Sequence, residues 1–370
     1  MKMEVKSAII VFAAIGVAVA GVSVYFNSIQ AGPSVAFQPA ATEDSGTTVK
    51  IDKSKFPKAS ELEGISGYIN TPHITMADLK GKVVVVDFWT YTCINCIRTI
   101  PYLNAWYDKY SDDGLVILGV HSPEFQFEKD YNNVKAAVEK FGIKYPVVQD
   151  NDMDTWRAYK NNFWPHKYIV DHEGYIRFDH IGEGGYEETE HVIQELLKER
   201  AAAAGIKINI ANDMVSPQGA VGVNFSEIQT PELYLGYSYG AQLGNKERLV
   251  PNETTDFSLP KDMVSNKVYL QGMWKSNKDN MELVSDTGKV VLDYNAKAVN
   301  IVAAGDSTLA IKLDKALIGS SSYGKDVNGA KVQVSAERLY SLVFGQDYGE
   351  HMLEIDVEGK GFKLYTFTFG

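Results

Sequence analysis

Cys93 and Cys96 are the only cysteines in a chain of 370 residues, and they lie three positions apart. A disulfide framework that braces a secreted domain uses many cysteines at wide spacing. A loop this short would add little stability by closure. A zinc site needs two further ligands at metal spacing, and the seven histidines are scattered without a paired motif. The spacing therefore points to a redox pair and to no metal. The run Trp89-Thr90-Tyr91-Thr92-Cys93-Ile94-Asn95-Cys96 follows an apolar strand and opens a helix. At a helix N-terminus, unsatisfied N–H groups and the dipole favour an anion, so Cys93 is the expected attacking thiolate. Cys96, one turn on, is placed to resolve a mixed disulfide held on Cys93. No cofactor beyond this pair is expected.

Asp87 stands six positions before Cys93, near the end of the strand. Desolvation there would raise its pKa and let it relay a proton for the resolving thiol; a carboxylate that only caps a loop is the alternative. Trp164-Pro165-His166 precedes a second strand, and a proline at that junction suits a cis peptide, with an ordinary trans turn as the alternative. Trp89, Trp164, Glu124 and Glu183 are the candidates for the rim that meets a substrate. Glu183 lies in Gly182-Glu183-Gly184-Gly185, a backbone able to approach the site closely.

These residues need elements to hold them. Lys82–Trp89 and Gly114–Val120 read as strands buried on both faces. Helices are expected over Cys93–Tyr110, Asp130–Phe141, Asn151–Asn161 and Glu187–Ala204, the last stopped by Gly205. Tyr145–Val148 reads as a short strand, and Tyr168–Asp171 with Tyr175–Phe178 as a hairpin. Residues 206–230 read as an irregular linker. Beyond it, Leu309/Ile311/Leu313, Val332/Val334 and Leu353/Ile355/Val357 alternate with polar residues, and about eight such strands argue for an antiparallel β-sandwich. Residues 1–26 carry Lys2 and Lys6 before an uncharged apolar run, either a retained anchor or a signal cleaved near Ala18-Val19-Ala20. Residues 27–55, rich in small and polar residues, read as a flexible tether. The expected order is thus anchor or signal (1–26), tether (27–55), α/β domain (56–205), linker (206–230) and β domain (231–370). The hydrophobic content of 45% can fill both cores, while a net charge of −11 argues against nucleic acid as a partner.

With these residues in view, the chain resembles the extracytoplasmic thioredoxin-like oxidoreductases of the TlpA group, and in particular the soluble C-terminal part of the DipZ family. The likeness rests on Val86–Thr99, Gly119–Phe125, Trp164–Tyr168, Gly182–Gly184, Thr230–Gly236 and Tyr365–Gly370. It implies a thioredoxin-like α/β domain with attacking Cys93, resolving Cys96 and cis Pro165, followed by a jelly-roll β-sandwich similar to carbohydrate-binding modules. It further implies reduction of disulfide-containing substrate proteins outside the cytoplasm, with electrons supplied by a separate membrane protein. Two departures bear on the redox potential: Asn95 replaces the proline of a thioredoxin C-G-P-C, and Thr99 stands where many TlpA-like proteins carry an acid. The rival reading is a surface-glycan binder using Tyr234, Tyr237, Tyr239 and Trp274, with the cysteines serving only as a redox sensor.

Overall fold

The computed structural model describes residues 52–370. The expected anchor at 1–26 lies outside these residues, as does nearly all of the tether. Among the described residues, no helix is long and apolar enough to cross a membrane.

The first half is built on a mixed sheet. Its strands are β1 (Gly67–Ile69), β2 (Val83–Trp89), β3 (Leu115–His121), β4 (Val147–Gln149), β5 (His166–Val170) and β6 (Ile176–Ile181), in the order β1-β4-β3-β2-β5-β6. β2 pairs parallel with β3 and antiparallel with β5. Every residue of β2 is buried, as its unbroken apolar run requires of a central strand with both faces covered. Val83, Val85 and Trp89 face one core, and Val84, Val86 and Phe88 the other. The period of two therefore turns Asp87 towards the first of these cores, the one that contains Cys96.

Helix α1 (Ile94–Tyr110) buries Cys96, Thr99, Ile100, Leu103, Trp106 and Tyr110, the three- and four-residue spacing of one helical stripe. Helices α2 (Tyr131–Lys140), α3 (Asp154–Ala158) and α4 (Tyr186–Ala204) follow. Gly205 ends α4 in the left-handed conformation at φ 66°, a geometry that glycine adopts without steric penalty. The helix expected over Asn151–Asn161 shrinks to α3: Met153 at φ 61° and the bonds of Asp150 to the backbone N–H groups of Thr155 and Trp156 set its start, and Lys160 at φ 54° lies just past its end.

No helix or strand lies between α4 and β7, yet the expected linker is not free of the first half. Ile208, Ile210 and Val215 pack against its core, and the Val215 N–H donates to Glu190 at 2.8 Å. The second half is all antiparallel β, with ten strands: β7 (Leu233–Tyr234), β8 (Thr254–Phe257), β9 (Val268–Ser276), β10 (Met281–Leu283), β11 (Thr287–Ala304), β12 (Ser307–Leu313), β13 (Ala316–Leu317), β14 (Lys331–Val334), β15 (Arg338–Glu358) and β16 (Lys363–Phe369). β11 and β15 pair along most of their lengths, with register shifts near Ala296–Asn300. On its other edge, β11 pairs with β9 in its first half and with β16 in its second, while β10 bridges those two strands. The sheet thereby rolls around one core of Leu, Ile, Val and aromatic side chains.

Candidate active site

β2 ends at Trp89, and four residues later Cys93 caps α1. The Cys93 backbone is extended, and its Sγ accepts the Cys96 backbone N–H at 3.2 Å. Cys93 is half-buried and Cys96 is 1% exposed, both as free thiols. One thiol can thus meet a partner while the other lies behind it. Burial, followed by its contact with Cys93, pushes the Cys96 thiol well above its ordinary value, and the charge of Asp87 adds to the effect.

Asp87 is 2% exposed, and its Oδ1 has no hydrogen-bond partner. Desolvation pushes its carboxyl up to about 7, against the opposing pull of Lys167. Asp87 and Lys167 are direct cross-strand partners of β2 and β5, so the register sets them side by side on one face. Lys167 is fully buried; its Nζ donates to the Gly182 carbonyl at 3.0 Å. Burial lowers its pKa, while Asp87 and then Cys96 raise it. A carboxylate, an ammonium and the inner thiol therefore form one buried electrostatic group. Reading the sequence missed Lys167, although its place in Trp164-Pro165-His166-Lys167 was in view.

Two more buried groups shape the approach to Cys93. Glu128 accepts the Thr92 hydroxyl at 2.5 Å and the backbone N–H groups of Glu124 and Phe125 at 2.6 and 2.9 Å, which ties the residue before Cys93 to the loop after β3. His121 is buried and held down to about 3 by desolvation, hence neutral; it stacks on Tyr91 and packs edge-on to Trp89.

The Trp164–Pro165 peptide is cis. The Pro165 carbonyl accepts the Gly182 N–H at 2.8 Å, and the Trp164 indole N–H donates to the Ser122 carbonyl at 3.0 Å. Gly182 and Gly184 hold φ of 81° and 91°, which lets this loop turn beside Pro165.

Three rim candidates are placed differently from expectation. Trp89 is in the core, where the strand period puts it with Val83 and Val85, so it backs the site and does not face a substrate. Glu183 is committed to Arg98 at 2.6 Å, and Arg98 also donates to Asn95 at 2.7 Å, locking the Gly182 loop to the residue between the cysteines. Glu124 accepts the Tyr234 hydroxyl at 2.7 Å, a bond from the first half to the second. Desolvation and the neighbouring Glu128 push Glu124 up to about 8. Trp164 remains half-buried beside Trp156.

The second half docks against this site. Phe125 and Phe127 pack edge-on to Tyr365 at 5.2 and 5.0 Å, and the Tyr91 hydroxyl donates to the Glu337 carbonyl at 3.2 Å. Among the acids, Asp171, Glu173 and Glu199 could gather round a cation, but the Lys53 ammonium already pairs with all three. That cluster is a salt-bridge network.

A capped, half-exposed thiol over a buried thiol, on a sheet with a cis-proline loop alongside, defines a thioredoxin-like oxidoreductase site. Comparisons with known proteins agree. Residues 57–179 match the AhpC/TSA family, and residues 230–370 match the family described as thioredoxin like C-terminal domain. The protein DipZ of Mycobacterium bovis is 33% identical over 316 residues, covering 84% of this chain and 43% of that protein. The thiol-disulfide oxidoreductase ResA of Bacillus thuringiensis is 30% identical over 123 residues, 33% of this chain and 68% of that protein. YkuV of Bacillus subtilis, another thiol-disulfide oxidoreductase, is 29% identical over 140 residues, 38% of this chain and 93% of that protein. The chain belongs to the thioredoxin-like thiol–disulfide oxidoreductases of the TlpA group and is a homologue of DipZ. It spans less than half the length of the DipZ relatives it matches.

Proposed function

We propose that the chain reduces disulfides in proteins outside the cytoplasm, held to a membrane by its N-terminal segment. The observation that carries this reading is Cys93 at the helix cap, half-exposed, above a buried group of Cys96, Asp87 and Lys167. The Cys93 thiolate attacks one sulfur of a substrate disulfide, forms a Cys93–substrate disulfide and expels the other sulfur as a thiolate. Cys96 gives its proton to the Asp87 carboxylate and attacks Cys93 Sγ. The Cys93–Cys96 disulfide forms, and the second substrate thiolate leaves. Two electrons have passed to the substrate, and the dithiol of a separate membrane electron-transfer protein returns them. Asp87 serves because its raised pKa lets it accept a proton from the inner thiol near neutral pH. On this reading the two sulfurs are the only redox group.

The membrane tether rests on the sequence of residues 1–26, with Lys2 and Lys6 before the apolar run. The second half fits the same reading as a jelly-roll body similar to carbohydrate-binding modules, supported by its long bent strands and single rolled core. Glycan binding as the main role is not favoured. Trp274 is fully buried with its indole N–H bonded to Gln271, and Tyr234 is engaged with Glu124.

Insulin reduction with dithiothreitol as electron source tests the proposal. The wild-type chain is expected to precipitate insulin well ahead of dithiothreitol alone, and Cys93→Ser to show no acceleration. Equal rates for the two would remove Cys93 from the reaction.

A further inference from the structure

A cleft of about 600 Å³ lies between the two halves, directly beside the start of α1. One wall is a stripe of that helix, Ile94, Ile97, Arg98 and Pro101, continued by Tyr91. Cys93, Ile97 and Pro101 are four residues apart in turn, so the attacking thiol stands at the head of this same stripe. The opposite wall comes from the second half and the segment before it, with Leu339, Phe344 and Val221. Phe344 is 45% exposed and Val221 39%, so both leave apolar surface bare on the cleft wall.

Cations outnumber acids along this cleft. Four cations line it, Arg98, Lys140, Lys325 and Arg338, against Asp326 and Glu337. Arg98 is paired with Glu183 and Arg338 with Asp326. Among the described residues, Lys140 and Lys325 have no carboxylate within ion-pair distance. Partial desolvation and the nearby Arg338 disfavour the Lys140 charge while Asp326 favours it, and an added anion would favour it further. A basic, apolar cleft in a chain of net charge −11 selects an occupant that is apolar and acidic together.

We propose that this cleft recognises the substrate polypeptide, taking a segment with large apolar residues beside its disulfide-bonded cysteine and a carboxylate a few positions further on. This deepens the reductase reading and rests on it. The length follows from geometry. Eight helical residues from Cys93 to Pro101 rise about 12 Å, which an extended chain covers in about four residues. The apolar residues then lie against Ile97 and Phe344, and the acid reaches the ammonium of Lys140 or Lys325.

The test uses the full chain, reduced and then mixed rapidly with disulfide-linked dimers of short peptides. The cysteine is followed by Leu-Phe-Ser-Glu, by Leu-Phe-Ser-Lys or by Ser-Gly-Ser-Glu, and oxidised glutathione serves as a reference disulfide. The Leu-Phe-Ser-Glu dimer is expected to oxidise the protein at least tenfold faster than the Ser-Gly-Ser-Glu dimer and several-fold faster than the Leu-Phe-Ser-Lys dimer. Phe344→Ser should collapse the first ratio towards one, and Lys140→Glu should invert the second. Both side chains are exposed, and each ratio is taken within one variant, so a general loss of activity cancels. Equal rates for all three peptides, with glutathione still reacting, would overturn the recognition site and leave the reductase standing. No reaction with any disulfide, glutathione included, would overturn both.

Discussion

The two halves of the molecule bury different kinds of side chain. The first half encloses Asp87, His121, Glu128, Lys167 and Glu190 along with further charged groups. The polar side chains enclosed in the second half are serine, threonine and asparagine, with no charged residue among the described ones. Taking a charge out of water is costly unless it is paired or titrates, so the first core tolerates strain that the second does not carry. Near the cysteines that strain becomes useful chemistry, because desolvation holds Asp87 near neutrality and keeps the Cys96 proton on. The second half contributes shape. It reaches the site through Tyr91–Glu337 and Glu124–Tyr234 and brings no titrating group into contact with the sulfurs. The division is between proton handling on one side of the cysteines and recognition on the other.

The largest expected effect breaks the proton-handling side. Asp87→Asn should slow the resolving step about 100-fold at pH 8, within the range general bases contribute. The rise in rate through about pH 7 should disappear, as followed by stopped-flow fluorescence in a single turnover. A rate that keeps its rise through pH 7 would assign the proton acceptor elsewhere. Lys167→Met removes the cation that opposes the upward shift of Asp87. The midpoint of the rate profile should therefore move to higher pH, and an unmoved midpoint would separate Lys167 from the chemistry.

Removing the second half tests the other side of the division. Because Ile208, Ile210 and Val215 belong to the first core, the cut should fall after Val215 and not at Gly205. That fragment exposes Phe125, Phe127 and Tyr91. It should keep its reaction with oxidised glutathione within a few-fold while losing about tenfold in kcat/KM for a protein disulfide, roughly 1.4 kcal/mol of transition-state binding. Circular dichroism establishes that it folds, and a folded fragment with no glutathione reaction would place the second half in the sulfur chemistry itself.

Smaller still is the bond between the halves. Glu124, raised to about 8 from its ordinary 4.5, is favoured in its neutral form on folding. That contribution is complete below pH 4.5 and is lost as pH rises through 8. Glu124→Gln stays neutral throughout, so its Tm should fall less between pH 5 and pH 9 than that of the wild type. Tyr234→Phe should cost about 1 kcal/mol, seen as a small drop in Tm, and an identical pH slope in both variants and the wild type would exclude Glu124 as the titrating group.

What could be read from the sequence was local. Cys93 and Cys96 announce themselves by spacing, Gly205 stops a helix in its own left-handed turn, and Leu309/Ile311 show their period of two directly. Asp87 was legible as a charge inside an apolar run. Trp89 was misplaced on the rim although the same alternation that orients Asp87 puts it in the core. Lys167 became visible only with the register of β2 against β5, and Glu128 only with the fold, since its partner Thr92 lies 36 positions away. The contact of Tyr91 with Glu337 spans 246 positions and left no mark in either local pattern. The basic cleft between the halves was hidden for the same reason: its lysines come from α2 and from the loop before β14, and no short window contains both.

The most direct measurement of the central claim is the identity of the sulfur that first meets a substrate. Cys96→Ser and Cys93→Ser chains are each incubated with a disulfide-bonded protein, quenched with acid and alkylating agent, and mapped by mass spectrometry. The account predicts a mixed disulfide at Cys93 in the Cys96→Ser chain and none at Cys96 in the Cys93→Ser chain. Equal trapping at both positions would show that the buried thiol is as available as the helix cap, and would contradict the assignment of attack and resolution.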